Sequence, residues 1–326
     1  MNILVTGGTG FIGSHLIERL RAKGDTVKCV AKDKLNVAVL ESLGVEVVLG
    51  DINNGISWDS IFDGVDCVYH LAGVTRARTT KEYYDGNYLA TKRFVQLCAA
   101  YCPTLKRFVY VSSLTAVGPS NDGEIVTEET LYHPVSHYGK SKMLAELEVL
   151  KMRERLPIAI VRPSAVYGPR ERDMYEYMKL IKRGIQPLIG FKKKLLSLIH
   201  TDDLVNGIML AGTHVRAVDQ IYFLGSERSY STEEIGNTIA RVVHKSPLRI
   251  KLPHVLVYTV GAIAEAVGKI TRQQVFFNFQ KANEAVQSAW TCSVEKAQSQ
   301  LGFHESILLA DGMSQTYQWY RENGWL

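Results

Sequence analysis

Short runs of β-branched and other apolar residues recur through the first half of the chain: NILV at 2–5, TVKCVA at 26–31, VEVVL at 45–49, DCVYHL at 66–71, RFVYVSS at 107–113 and IAIVRP at 158–163. Most are continuous rather than alternating, the pattern of strands covered on both faces. Between them, amphipathic stretches at about 11–23, 35–43, 57–63, 80–101 and 138–155 predict helices. Strands and helices that alternate this regularly pair in parallel, because a parallel neighbour needs a crossover. The pattern therefore predicts an α/β fold with a doubly wound parallel sheet.

After Pro163 the rhythm changes. A charged helix near 174–183, the segment LLSLIHTDDL at 195–204 and a strand near 220–224 suggest that the chain revisits the sheet. Beyond Ser229 the pattern is mostly helical, with a short strand at 248–252 and a closing helix running to Trp325. The predicted division is a dinucleotide-binding domain at 1–165 and about 195–226, and a smaller, mostly helical C-terminal substrate lobe at about 166–194 and 227–326. No linker or repeat separates them, so two lobes sharing a cleft are expected.

The stretch TGGTGFIG at 6–13 lies between the first strand and the first helix. Gly8, Gly10 and Gly13 satisfy G-x-G-x-x-G, and Gly7, Gly10 and Gly13 give the wider G-x-x-G-x-x-G. Glycine lets the main chain approach a pyrophosphate, whose charge the helix N-terminal amides near Phe11 and Ile12 then meet. With a strand before it and a helix after it, the loop predicts a Rossmann dinucleotide site. Specificity for NAD comes from an acidic residue ending the second strand. Here that place reads Ala31, Lys32, Asp33, Lys34. If the strand ends at Ala31, Lys32 is placed to meet a 2′-phosphate and NADP is preferred; a small shift in register gives Asp33 the NAD role instead.

Composition narrows the setting. Five cysteines without zinc spacing, in strand-like or helix-like runs, read as reduced core thiols of a cytoplasmic protein. The glycine loop begins too early for a secretory leader to precede the first strand. The net charge of +5 is spread out, and the run Lys192, Lys193, Lys194 reads as a solvated loop rather than a nucleic-acid patch. The most apolar stretch, VLVYTVGAIAEAV at 255–267, is too short to span a bilayer and carries Glu265. It reads first as a core or lid helix, with peripheral docking on a membrane or lipid substrate as the alternative.

Tyr138 and Lys142 form Y-x-x-x-K on one face of a predicted helix. Two other pairs share the spacing, Tyr88 with Lys92 and Tyr175 with Lys179. Only Tyr138 follows a serine pair that ends a sheet strand, VYVSS at 109–113, and strand carboxyl ends face the cofactor cleft. Hydride transfer between a nicotinamide and a carbinol carbon needs a partner for the hydroxyl proton. A phenol is a poor base at neutral pH, but a lysine about 5 Å away, at an effective dielectric of about 20, favours the phenolate by about two pKa units. Tyr138 is thus expected as acid/base, Lys142 as electrostatic tuner and ribose ligand, and Ser113 as the donor that orients the substrate oxygen. No metal is expected.

Together these residues resemble the extended short-chain dehydrogenase/reductase family, also called the NAD-dependent epimerase/dehydratase family. The resemblance runs through TGGTGFIG, GDI at 50–52, HLAG at 70–73, Asn87 in NYLATKRF, VSS at 111–113, YGKSK at 138–142, RPSAVYGPR at 162–170 and IHTDDL at 199–204. It implies that Asp51 and Ile52 border the adenine, Leu71, Ala72 and Gly73 the adenosine ribose, and Pro163 to Val166 the nicotinamide. It also implies that Asn87 braces the cleft, while His70 and His200 read as packed strand residues. Dehydratases of the family carry an Asp-Glu pair after the serine position, where this chain has Leu114 and Thr115. The segment SLTAVGP at 113–119 looks more like the 3-beta-hydroxysteroid dehydrogenase and dihydroflavonol reductase branch. YGPRERD and the closing WYRENGWL resemble bacterial members associated with long-chain ketone reduction, including ketosphinganine-type substrates.

The expected function is therefore oxidoreduction between a ketone and a secondary alcohol on a largely apolar small-molecule substrate, long-chain or steroid-like, with NADP preferred to NAD. The main alternative is a nucleotide-sugar epimerase with tightly bound NAD, for which Arg170, Lys192 to Lys194 and Asn278 could meet a pyrophosphate. A non-catalytic cofactor sensor is the alternative of another class, against which Tyr138 and Lys142 are both retained. The resemblance also implies a homodimer paired through the helices at 80–101 and 138–155.

Overall fold

The apolar runs become strands of a single sheet: β1 Asn2–Thr6, β2 Thr26–Ala31, β3 Glu46–Leu49, β4 Cys67–His70, β5 Arg107–Val111, β6 Ile158–Pro163 and β7 Gln220–Leu224. The structure is a computed structural model that describes residues 1–326 apart from 35–36, 53–57, 59, 122–123, 272–274 and 276. The strand order is β7-β6-β5-β4-β1-β2-β3, and every neighbouring pair is parallel. Successive strands are added in opposite directions on the two sides of the β1–β4 boundary, which makes the crevice outside their carboxyl ends the switch point.

Successive strand residues point to opposite faces, and both faces are covered. Val5, Val109 and Val161 meet the helices Phe11–Ala22 and Thr201–Thr213 through Leu16, Leu20, Leu204 and Ile208. Leu4, Phe108 and Ile160 meet the helices Ala90–Tyr101 and His137–Leu150 through Phe94, Val95, Ala145 and Val149. All five cysteines are buried free thiols.

Departures from the predicted pattern have local causes. Leu35 and Asn36, at the start of one predicted helix, lie outside the described residues, and the helix runs Val37–Ser42. Ser57 and Asp59 of the helix predicted at 57–63 also lie outside them, and residues 60–64 run as turns and a bend. The apolar spacing there comes from Trp58 and Phe62, whose rings stack 5.5 Å apart and pack on Phe94. The long helix predicted at 80–101 is three pieces, Thr80–Tyr83, a π-helical turn Tyr84–Leu89 and Ala90–Tyr101. The helix at 138–155 ends at Leu150.

In the second half, helices Arg172–Lys182, Thr232–Val242 and Leu309–Glu322 share a separate apolar cluster. Strands Ile185–Ile189 and Leu248–Leu252 pair in parallel. Helix His254–Thr271 crosses helix Phe279–Val286 closely: a Cβ on Gly261 would lie 3.0 Å from Ala282 Cβ. That helix corrects the core reading of its sequence, because Val255, Val260, Ile263 and Val267 all face outward. In the segment VFFNF at 275–279, Phe276 lies outside the described residues, and Phe277 packs beneath the helix. Among the described residues no helix is long and apolar enough to cross a membrane.

Candidate active site

The glycine loop is built for close approach. Gly7 has φ +75°, and a Cβ there would lie 2.6 Å from Ala72 N and 2.7 Å from Leu71 C. A side chain at Gly13 would run into the Gly7 carbonyl, 2.1 Å away. The Gly10 amide donates to the Gly7 carbonyl at 3.1 Å, closing the turn. Gly10 is the N-cap of helix Phe11–Ala22, and no side chain caps it, so the amides of its first turn are left to an anionic ligand. These residues fit a dinucleotide pyrophosphate.

Lys32 follows the last residue of β2, and its Nζ pairs with Asp51 Oδ2 at 2.9 Å. Ile52 is buried in the core beside Trp58. Leu71 and Ala72 adjoin Gly7, and Gly73 lies against Asn87 Oδ1. Pro163 ends β6 beside Leu224, and Val166 pairs with Ile199 in a short parallel ladder. The glycine loop, Lys32, Leu71 and Pro163 all sit at strand carboxyl ends, so the fold sets them along one edge.

Asn87 occupies the π-helical turn, a feature that recurs at functional sites. Its Oδ1 accepts from Val74 N at 2.6 Å, and its Nδ2 donates to Val74 O at 3.0 Å and Ser141 Oγ at 2.8 Å. The loop after β4 is thereby tied to helix His137–Leu150. His70 is packed as expected, with Nδ1 2.6 Å from Thr6 Oγ1 and Nε2 2.9 Å from Thr91 Oγ1. Burial pushes its pKa down to about 3, which keeps the ring neutral. His200 caps a helix by accepting from Asp202 N at 3.3 Å.

Ser113 leaves the sheet after β5 and caps the short helix Leu114–Val117. Its Oγ accepts from Thr115 Oγ1 at 2.8 Å, and it lies near enough to the Tyr138 phenol to favour its ionisation. The structure thus brings Ser113 and Tyr138 together. Burial pushes the phenol up to about 12, opposed first by the positive charge of Lys281. Lys142 turns toward the sheet, donating to Val111 O at 2.7 Å with its ammonium 4.5 Å from the Tyr110 ring centre. Burial draws its pKa down to about 7, with Glu146 working in the opposite direction. Glu146 itself is fully buried and pairs with Arg162 at 2.7 Å, which fastens the helix to β6.

Sequence reasoning missed the C-terminal contribution to this site. Helix Phe279–Val286 docks on the start of helix His137–Leu150 through three side chains. Gln280 accepts from His137 N at 2.9 Å, Asn283 donates to Val135 O at 2.6 Å, and Glu284 accepts from Ser136 Oγ at 2.5 Å. Lys281 lies between Glu284 at 3.6 Å and Asp173 at 3.9 Å, and Asp173 also pairs with Arg76. Burial works against the Lys281 charge, but Glu284 and Asp173 hold its pKa above the usual lysine value. Asn278, which caps this helix by accepting from Lys281 N at 2.9 Å, is the one legible signal of its start.

Two cations that could meet a nucleotide-sugar pyrophosphate, Arg170 and Lys194, are engaged elsewhere. Arg170 donates to Ser14 Oγ at 2.9 Å and Glu18 Oε1 at 2.6 Å on the glycine-loop helix. Lys194 is no solvated loop lysine: it is buried and donates to the Ala285 and Gln287 carbonyls at 2.7 and 2.9 Å.

Comparison with known proteins places this geometry. Residues 3–225 match the sequence model of the NAD dependent epimerase/dehydratase family. A ceramide reductase of Caulobacter vibrioides is 29% identical, with 99% of this chain and 96% of that protein aligned. A UDP-glucose 4-epimerase of Vibrio cholerae is 27% identical, over 77% of this chain and 79% of that protein. The solved structure of UDP-glucuronic acid 4-epimerase from Bacillus cereus, in complex with NAD, shares the fold with a TM-score of 0.80 at 22% identity, over 99% of each chain. The chain therefore belongs to the NAD dependent epimerase/dehydratase family and is an NAD(P)-dependent enzyme of its dehydrogenase, reductase or epimerase kind.

Proposed function

We propose that the protein interconverts a ketone and a secondary alcohol on a largely apolar, long-chain or steroid-like substrate, using NADP(H) in preference to NAD(H). The observation that carries the chemistry is the placement of Ser113 beside the Tyr138 phenol, just past the carboxyl end of β5. A substrate oxygen taken up there meets two hydroxyls, one to orient it and one to exchange its proton. In reduction, Tyr138 gives its phenolic proton to the carbonyl oxygen as Ser113 holds that oxygen in place. In oxidation the phenol must first lose its proton, and the Lys281 charge favours that loss. The bound dinucleotide would supply or accept the hydride. Gly7, Gly10, Gly13 and the amides after them would hold its pyrophosphate, and Lys142 would serve its ribose. Residues 1–165 and about 195–226 form the cofactor-binding part in this reading, and 166–194 with 227–326 the substrate lobe.

Three features favour an apolar substrate. Leu114 and Thr115 stand where dehydration would need an acid and a base. Arg170 and Lys194 are committed to other partners. The Caulobacter relative, aligned over nearly all of both chains, is a ceramide reductase. For the cofactor, Lys32 is the cation at the end of β2, with Asp51 as its partner.

The test is NADPH and NADH oxidation measured against long-chain ketones, steroids and nucleotide sugars. Turnover of a long-chain ketone with a higher kcat/KM for NADPH is expected, and a clear NADH preference would return the ribose role to Asp33. Tyr138→Phe is expected to lower turnover by about a thousandfold or more while sparing cofactor binding by fluorescence titration. The epimerase reading, favoured by the Vibrio and Bacillus relatives, predicts the opposite pattern. Protein that purifies with NAD and converts a UDP-sugar without added cofactor would establish it. Light scattering tests the homodimer proposed through the helices Ala90–Tyr101 and His137–Leu150.

A further inference from the structure

Helix His254–Thr271 is turned inside out. Val255, Leu256, Val260, Ile263, Val267 and Ile270 are 46% to 83% exposed, and among the described residues the exposed positions between Val255 and Val267 hold only threonine and alanine. Glu265, the sole charged residue from 255 to 268, is half-buried and accepts from Phe279 N at 3.3 Å. The helix is about 27 Å long at 1.5 Å per residue. From 255 to 268 its outward side is therefore an uncharged apolar strip, a feature that marks an interaction surface.

The strip continues past the helix. Gly190, at the end of strand Ile185–Ile189, packs on His254: a Cβ there would lie 2.6 Å from the imidazole Nε2. Phe191, the next residue, is 70% exposed. Lys192 and Lys193 follow it, and Lys251 is the next-to-last residue of the neighbouring strand, all three at exposed positions. Apolar side chains thus lie along one surface with cations at one end of it.

That combination selects an occupant. A second copy meeting this face across a twofold would set one uncharged strip against another, and the strip offers no carboxylate for the cations at its end. An anionic bilayer supplies both halves, acyl chains for the strip and phosphates for the lysines. We propose that this helix lies flat in the headgroup boundary of an anionic lipid bilayer, with Phe191 inserted beside it and Lys192, Lys193 and Lys251 on the phosphates.

The orientation also serves the site. On its inner side the same helix contributes Glu265 and Gly268 to a cavity of about 330 Å³ shared with Tyr83 and Asn278. The Tyr83 ring centre is 6.2 Å from that of Tyr138. Docking would place this cavity next to the membrane. The proposal goes beyond the enzymatic reading and stands whatever the substrate is, so its test uses none.

Full-length protein is sedimented with vesicles of phosphatidylcholine alone or mixed with phosphatidylglycerol. Binding to the mixed vesicles that weakens with added salt is expected. Ile263→Glu and Val267→Glu should each lower the partition at least tenfold. Lys192→Gln and Lys193→Gln should lower it about fivefold each. Unchanged thermal unfolding and dinucleotide binding would show that each variant is folded. Absence of vesicle binding, equal binding to neutral vesicles, or variants that bind like the parent would overturn the proposal. So would a dimer, seen by light scattering, that Ile263→Glu dissociates in protein that ignores vesicles; that outcome assigns the face to a second copy.

Discussion

Helices His137–Leu150 and His254–Thr271 both violate ordinary amphipathic logic, in opposite ways. The first buries Lys142, Glu146 and Glu148; the second exposes Val260, Ile263 and Val267 while drawing Glu265 inward. Buried charges are tolerated in the first because each has a polar partner within the chain. Glu146 meets Arg162, Ser112 and Tyr132, Lys142 meets a β5 carbonyl, and Glu148 meets Lys151 at the rim. Among the described residues, the exposed apolar groups in the second have no such partner. A helix whose charges point inward is thus complete in the first case, and in the second it is a surface waiting for its solvent.

The largest effect should come from breaking the inner network. Glu146→Ala leaves the Arg162 guanidinium, 2% exposed, without its carboxylate, and is expected to cost about 3–5 kcal/mol. Urea unfolding measures it. Replacing both partners, Glu146→Leu with Arg162→Met, should recover most of that loss, because two apolar groups leave no charge unpaired. A single variant as stable as the parent would mean that water reaches the pair, and the contrast between the helices would weaken.

How far the sequence carried the reading differs across the same boundary. Strand positions, the glycine loop, Ser113 and Tyr138 were legible because each rests on a local requirement: continuous apolar runs, a left-handed Gly7, a strand end. Lys142 was legible by spacing, yet its contact with Val111 O was not, since spacing says which face a side chain shares and not which acceptor it finds. Lys281 and Glu284 were illegible for a stronger reason. They reach Tyr138 and Ser136 across about 140 residues of intervening chain, and no local pattern encodes such a docking. The helix at 254–271 misled because an apolar run predicts burial without naming what does the burying.

Lys281 offers the next sharpening. The phenol of Tyr138 is raised by burial and lowered by this cation. Removing the cation in Lys281→Met should raise it further. In the proposed mechanism alcohol oxidation needs the deprotonated phenol, so its kcat/KM should rise with pH toward the Tyr138 pKa, and in the variant the rise should move to higher pH by about one unit. Lys281→Arg should restore the parent profile. A uniform fall in rate with an unmoved profile would make Lys281 a structural tie between Glu284 and Asp173, and the electrostatic part of the mechanism would then fall to Lys142.

The smallest effect is the one that separates the two helices most cleanly. Val257 and Ile263 lie on opposite sides of helix His254–Thr271, the first 4% exposed against Ala282 and Val286, the second 59% exposed. Val257→Ala removes two buried carbon atoms and should cost about 1.6 kcal/mol at about 0.8 kcal/mol per methylene. Ile263→Lys removes an apolar group that touches water in the isolated protein and should shift stability by about 0.5 kcal/mol or less. Unfolding in buffer without lipid or detergent measures both. If Ile263→Lys costs as much as Val257→Ala, the outward face is already packed in solution and the helix has found a protein partner. If the two differ as expected, the apolar strip contributes nothing to folding, and its composition answers to whatever it docks on.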